Sequence, residues 1–192
     1  MADRVARVVT EIFAPAVLLT VLLVVVGWHA YGDSLVGVAW GLAAALFASI
    51  IPFAVVLRGV RRGALTDHHI GRREQRRTPL LIGLGSVVVG IVALAIFGAA
   101  RELLAALGAV ACSAIVSAVV SHWWKVSLHT AGAAGFVIIL IEVYGPLALL
   151  ALPLVFVVGW SRVRLHDHTP AQVVIGGVVG ALIAGIAFAA LR

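Results

Sequence analysis

Charge is what this chain has least of. Charged residues make up 11% of its 192 residues, whereas a soluble domain carries about 25%. That shortage excludes an ordinary water-facing surface. Cysteine occurs once, as Cys112, which excludes an intrachain disulfide and says little about compartment. Lysine also occurs once, as Lys125, so the basic residues are nearly all arginine; we read this as the base composition of a GC-rich bacterial genome, not as chemistry. Long polar stretches are missing too, apart from residues 58–79. What the chain has is apolar residues, 63% of the total, with a mean hydropathy of +1.17. This is the composition of an integral membrane protein. The expected fold class is all-α, a polytopic transmembrane helical bundle of six to seven spans. The spans use almost the whole length, so one integral membrane domain over 1–192 is expected.

The apolar runs place spans at about 12–31, 35–57, 80–100, 103–120, 130–143, 146–160 and 170–191. Arg4 and Arg7 ahead of the run Ile12 to Trp28 resemble the start of a signal peptide. The run is too long for one, however, and Trp28-His29-Ala30-Tyr31 is a poor cleavage context, so a retained span is expected. Pro15 and Pro52 fall inside apolar runs, where span prolines are tolerated. Gly145-Pro146 breaks the fifth span from the sixth. Trp123 and Trp124 suit an interfacial belt, and Glu142 an interfacial position at the far end.

This parity puts the loops at 58–79, 121–129 and 161–169 on one side. With the N-terminus they hold twelve of the fourteen basic residues; only Arg101 and Arg192 fall opposite. The positive-inside rule then places that face in the cytoplasm. The net charge of +6 sits at a membrane face with no soluble domain to present it, so nucleic acid is not an expected partner. Nothing in the sequence excludes a homo-oligomer.

Everything able to do chemistry lies in those three loops. Ser161 to Gln172 reads SRVRLHDHTPAQ. Thr169 is a good N-cap and Pro170 a good first helical residue, which predicts a helix over 170–191 about 33 Å long. His168 then sits at the positive end of that helix with Arg162 and Arg164 upstream, a setting that attracts phosphate. His129 stands likewise at the start of the fifth span.

The stretch resembles the third signature of the type 2 phosphatidic acid phosphatase superfamily, S-R-x5-H-x3-D. Ser161, Arg162 and His168 match at the right spacing, and Gln172 stands where the family has Asp. The second signature, P-S-G-H, is recognisable as Val126-Ser127-Leu128-His129, and the first, K-x6-R-P, survives loosely as Arg76-Arg77-Thr78-Pro79. The resemblance covers roughly residues 60 to 190. It implies a membrane-embedded, metal-independent lipid phosphatase that needs no cofactor. His168 would be the nucleophile, forming a phosphohistidine, and His129 the general acid. Arg162, Arg77, Arg76 and Arg72, with Lys125 and Ser127, would hold the phosphoryl oxygens. The partner would be a membrane lipid or polyprenyl phosphate.

Gln172 lies one helical turn from His168. It can accept a hydrogen bond from the ring and fix its tautomer, but it supplies no charge. Another carboxylate could substitute, and Asp67 is the first candidate, ahead of Asp167. Two other readings stand beside the phosphatase. One is a family member that binds or carries a lipid phosphate with little or no hydrolysis. The other is a metal-dependent hydrolase built on Asp67-His68-His69 and His166-Asp167-His168, whose spacings match no established ligand set and whose arginine-rich surroundings repel cations.

Overall fold

The computed structural model describes residues 1–68, 70, 75 and 77–192, and among these all regular structure is helical. Helix α1, Ala2–Ile12, meets α2, Pro15–Ala30, at a bend of 44°. Pro15 causes it: a residue before proline avoids the helical region, and Ala14 sits at φ −58°, ψ 145°. Gly32 and Asp33 turn the chain with left-handed backbones, and Ser34 caps α3, Leu35–Ala45, by accepting from the Gly37 N–H at 3.4 Å. The hairpin is tight because Gly27, Gly37 and Gly41 bring the two backbones together where no Cβ would fit.

After α3 the helix widens into one π turn, Leu46–Ile50, and continues as α4, Ile51–Arg61. Pro52 explains where the ladder fails. In a π turn its N–H would serve the Phe47 carbonyl, and proline has none. The Ser86 hydroxyl donates to that carbonyl instead, at 2.6 Å. Ser86 lies on α5, Arg77–Ile96, so the repair also fastens α5 to the widened turn. Helix α6 runs over Arg101–Trp123, α7 over Leu128–Tyr144, α8 over Pro153–Arg164 and α9 over Pro170–Leu191.

The tightest pairing is α7 against α9. Gly176, Gly180, Ala184 and Phe188 recur every four residues and form the buried stripe of α9. A Cβ on Gly176 would lie 2.7 Å from the Ser127 carbonyl oxygen, and one on Gly180 would strike the Ala131 backbone. Small residues thus let the helices touch backbone to backbone. The contact sets the register: the Ser127 N–H donates to the Gln172 carbonyl at 3.2 Å, and the Thr130 hydroxyl lies 3.1 Å from the Val173 carbonyl oxygen. The starts of α7 and α9 therefore lie side by side.

Two helices that start at one end need a return leg between them. The stretch 145–164 supplies it as a 3-10 segment, Gly145–Ala151, followed by α8. The segment expected as a plain span at 146–160 is thus a 3-10 piece with a short helix. Seven residues at about 2.0 Å and twelve at about 1.5 Å reach about 32 Å, enough to recross the hydrocarbon layer. Five helical stretches among the described residues, one of them Leu128–Ala151, are long and apolar enough to span, and the bent α1–α2 pair makes a sixth. The far end is closed by the His29–Glu102 pair at 3.1 Å, by Arg101 on the Leu191 carbonyl and by Arg192 on that of Glu142. The near end gathers α1, residues 66–68 and the loops around 124–127 and 165–169.

Candidate active site

Between α8 and α9 the chain turns by local rules alone. The Leu165, His166 and Asp167 N–H groups cap the carbonyls of Ser161, Val163 and Arg162. His166 takes the left-handed backbone at φ 56°, so this is a Schellman-type stop. Three residues later Thr169 starts α9, with its hydroxyl accepting from the Gln172 N–H at 3.3 Å and Gln172 Oε1 accepting from the Thr169 N–H at 3.2 Å. This is a capping box. His168 is trapped between the stop and the start and is buried.

Gln172 has a second task. Its Oε1 also lies 3.2 Å from His168 Nδ1. Because the Thr169 N–H can only donate, the Gln172 atom it meets must be the oxygen, and an oxygen can only accept. His168 therefore carries its proton on Nδ1, and Nε2 holds the lone pair. The glutamine that closes the helix cap thus selects the tautomer of the histidine.

Arg162 is 4% exposed. Its Nη2 pairs with Asp167 Oδ2 at 2.9 Å, and its Nη1 donates to Thr10 Oγ1 at 3.3 Å. Its Nε has no partner among the described residues. The carboxylates of Asp167, Asp67 and Glu11 supply the negative charge that faces this buried guanidinium.

His129, Arg162 and His168 share one cavity of about 350 Å³. Most of its remaining wall is apolar, contributed by α2, α4, α5, α6, α7 and α9 through residues such as Leu18, Val56, Leu84, Val110, Gly132 and Ile183, with Ser49 and His68 as polar exceptions. Two hydroxyls, Ser113 and Ser117, lie on the α6 side. Polar chemistry thus shares a mostly greasy chamber.

Other expected site residues lie around this centre. Ser127 is fully buried, and its hydroxyl caps α7 by accepting from the Thr130 N–H at 3.4 Å. Lys125 Nζ donates to the Asp167 carbonyl at 2.8 Å, bracing the His168 loop from behind. Neither faces the cavity. Arg77 is exposed at the first turn of α5, just ahead of Pro79 and Leu80 on the cavity wall. Asp67 accepts from the Thr66 hydroxyl at 3.2 Å, and its charge is felt at Arg162. Arg72, Arg76 and His69 lie outside the described residues. Asp167, the second candidate to stand in for the missing carboxylate, is committed to Arg162. Among the described residues no group of three or more His, Cys, Asp or Glu is placed to hold a metal. Thr10 was not a candidate from sequence: it is one threonine on an N-terminal helix, and its partners are more than 150 positions away.

Comparison with known proteins adds one finding. Residues 106–192 match the model of the PAP2 superfamily. That range includes α7, α9 and both histidines. Curated proteins and solved structures return no match.

Proposed function

We propose that the chain, whose residues 106–192 match the PAP2 superfamily, a group of phosphatase type, and whose helices are long and apolar enough to cross a membrane, is a membrane-embedded type 2 phosphatidic acid phosphatase that hydrolyses a lipid phosphate without a metal. The observation that carries this is the cavity: His168, His129 and Arg162 share it, and most of the other side chains that line it are apolar. A substrate that fits has a phosphate head and a hydrocarbon tail. Phosphatidate, phosphatidylglycerol phosphate, polyprenyl diphosphate and polyprenyl-phosphate sugars bearing a further phosphate all have that form.

The steps follow from the tautomer. Nε2 of His168 attacks phosphorus while the bond to the leaving oxygen breaks, and His129 protonates that oxygen. The Nδ1–H of His168 keeps donating to Gln172 Oε1 throughout, and the imidazole gains positive charge as its other nitrogen bonds to phosphorus. Water then attacks the phosphohistidine, His129 takes its proton, phosphate leaves and His168 is restored. Arg162 balances the charge on the phosphoryl oxygens, and the paired helix starts add their partial positive charge. Arg77, Arg76 and Arg72 would extend the cradle from the arginine-rich loop. Lys125 and Ser127 support the reading as braces of the two histidine-bearing turns. The arginine excess at this end supports a cytoplasmic site.

The test is phosphate release in detergent, with chelator present, from a long-chain lipid phosphate and from a water-soluble aryl phosphate. Wild type should release phosphate and His168→Ala should not. Gly132→Leu should reduce kcat/KM for the lipid about tenfold and affect the aryl ester far less. Gly132 lines the cavity, and a Cβ there would meet only Pro15, at 3.9 Å. Release that survives His168→Ala but stops with chelator would replace this reading by the metal-dependent one. The reading with most claim after hydrolysis is lipid-phosphate binding without turnover, which Gln172 favours because it brings no charge to the imidazole. Binding with no release by wild type would establish it.

A further inference from the structure

Helix α1 lies outside the matched region yet ends at the arginine of the site. It packs on α8 through one face. Asp3 pairs with Arg164 at 2.8 Å, Ala6 is fully buried one turn on, and Thr10 is 3% exposed one turn further. The hydroxyls there form a chain with one direction. Ser161 Oγ donates to the Val158 carbonyl at 2.7 Å, so its proton is used. Thr10 Oγ1 therefore donates to Ser161 Oγ, at 3.2 Å, and turns its lone pairs toward Arg162 Nη1 at 3.3 Å. Arg162 is thus held at both terminal nitrogens by two separate elements, α1 through Thr10 and the His168 loop through Asp167. Its buried Nε is left over, and the residue lines the cavity beside His168.

We propose that Thr10 is a positioning residue for oxyanion binding: it fixes the guanidinium plane of Arg162, making α1 part of the phosphate site. This rests on the reading of the cavity as a phosphate site. The physical reason is the length of the side chain. A single ion pair to a half-exposed carboxylate leaves an arginine free to swivel, while a second contact fixes the plane and aims the remaining donors.

The test uses the full chain in detergent with two variants of opposite character. Thr10→Val keeps the volume and removes the hydroxyl; Thr10→Ser keeps the hydroxyl and removes a methyl. Orthovanadate affinity is read by calorimetry and phosphate release by kcat/KM, with thermal unfolding as the check on folding. Positioning requires Thr10→Val to lose about tenfold in both, the effect of one hydrogen bond to a charged group, and Thr10→Ser to stay within about twofold of wild type. A packing role alone requires the reverse order, and that order overturns the inference. If Thr10→Val does not fold, Thr10→Ala replaces it and must show the same loss relative to Thr10→Ser. Wild type that hydrolyses while Thr10→Val is unaltered overturns the inference alone. Wild type that binds vanadate and releases nothing overturns hydrolysis, and the binding comparison still decides for or against Thr10. No vanadate binding by wild type overturns both.

Discussion

Replacing Gln172 by Glu isolates the contribution of charge at the imidazole. The side chains have the same length, and Glu suits the third position of a capping box, so the bonds to the Thr169 N–H and His168 Nδ1, each 3.2 Å long, should persist. What changes is a full negative charge against the ring. A carboxylate this close favours protonated imidazole by about one to three pKa units, or about 1.4–4 kcal/mol; the partial exposure of residue 172 puts the expectation near the lower end. In the attack step the ring becomes positive, so the same interaction lowers that barrier, by about tenfold in kcat for one unit. The attacking form must be neutral. The folded pKa of His168 rises, and the acidic limb of the kcat/KM profile moves to higher pH by about one unit. The assay is lipid-phosphate release in detergent over pH 5–9 (about the histidine range) with chelator present. A Gln172→Glu protein with unchanged kcat and an unmoved acidic limb would refute the placement of Gln172 against the reacting ring.

Other changes probe the frame. Gly176→Leu should separate α7 from α9 and cost more than about 3 kcal/mol, because its Cβ alone would stand 2.7 Å from the Ser127 carbonyl oxygen; detergent-resolved thermal unfolding and loss of activity would show it. Ser86→Ala should cost about 1–3 kcal/mol by leaving the Phe47 carbonyl without a donor, with chemistry intact in the folded fraction. Asp167→Asn should weaken oxyanion binding by freeing Arg162, while costing less stability, about 1–2 kcal/mol, than loss of a fully buried pair because the carboxylate is 43% exposed.

The parts of the molecule that local rules control can be read from sequence. Thr169-Pro170 announces the start of α9, and Gln172 three residues after the cap completes the box. Gly145-Pro146 announces the break after α7, although a plain span was expected where a 3-10 segment leads into a short helix. Features that depend on distant partners were not legible. Pro52 shows that a helical bond is missing but not that the chain answers with a π turn and a hydroxyl from α5. The motif around Ser127 and Lys125 suggested phosphate ligands, yet the structure gives one to a helix cap and the other to a backbone carbonyl. Thr10 sits on a helix whose arginines look like a topology signal, and only the fold brings it to Arg162.

The spacing between Arg162 and His168 has a local explanation with a consequence of its own. Arg162 belongs to the last turn of α8, His166 is the left-handed residue of the stop, Asp167 closes it, and Thr169 caps the next helix. Five intervening residues are what a Schellman stop followed by a capping box requires, leaving His168 at the one position between them. Glycine is the usual residue at the left-handed position, and a side chain there costs about 1 kcal/mol or a little more. His166 is exposed, and its ring has no assigned work in the phosphatase reading. His166→Gly should therefore leave lipid-phosphate release unchanged. It should raise thermal stability slightly, by up to about 1 kcal/mol, because relief of the backbone exceeds the added freedom of the unfolded chain. The metal-dependent reading predicts otherwise, since His166 would then be one of its ligands. Activity that collapses in His166→Gly and returns with added zinc or manganese would reject the structural role of His166 and the metal-free mechanism together.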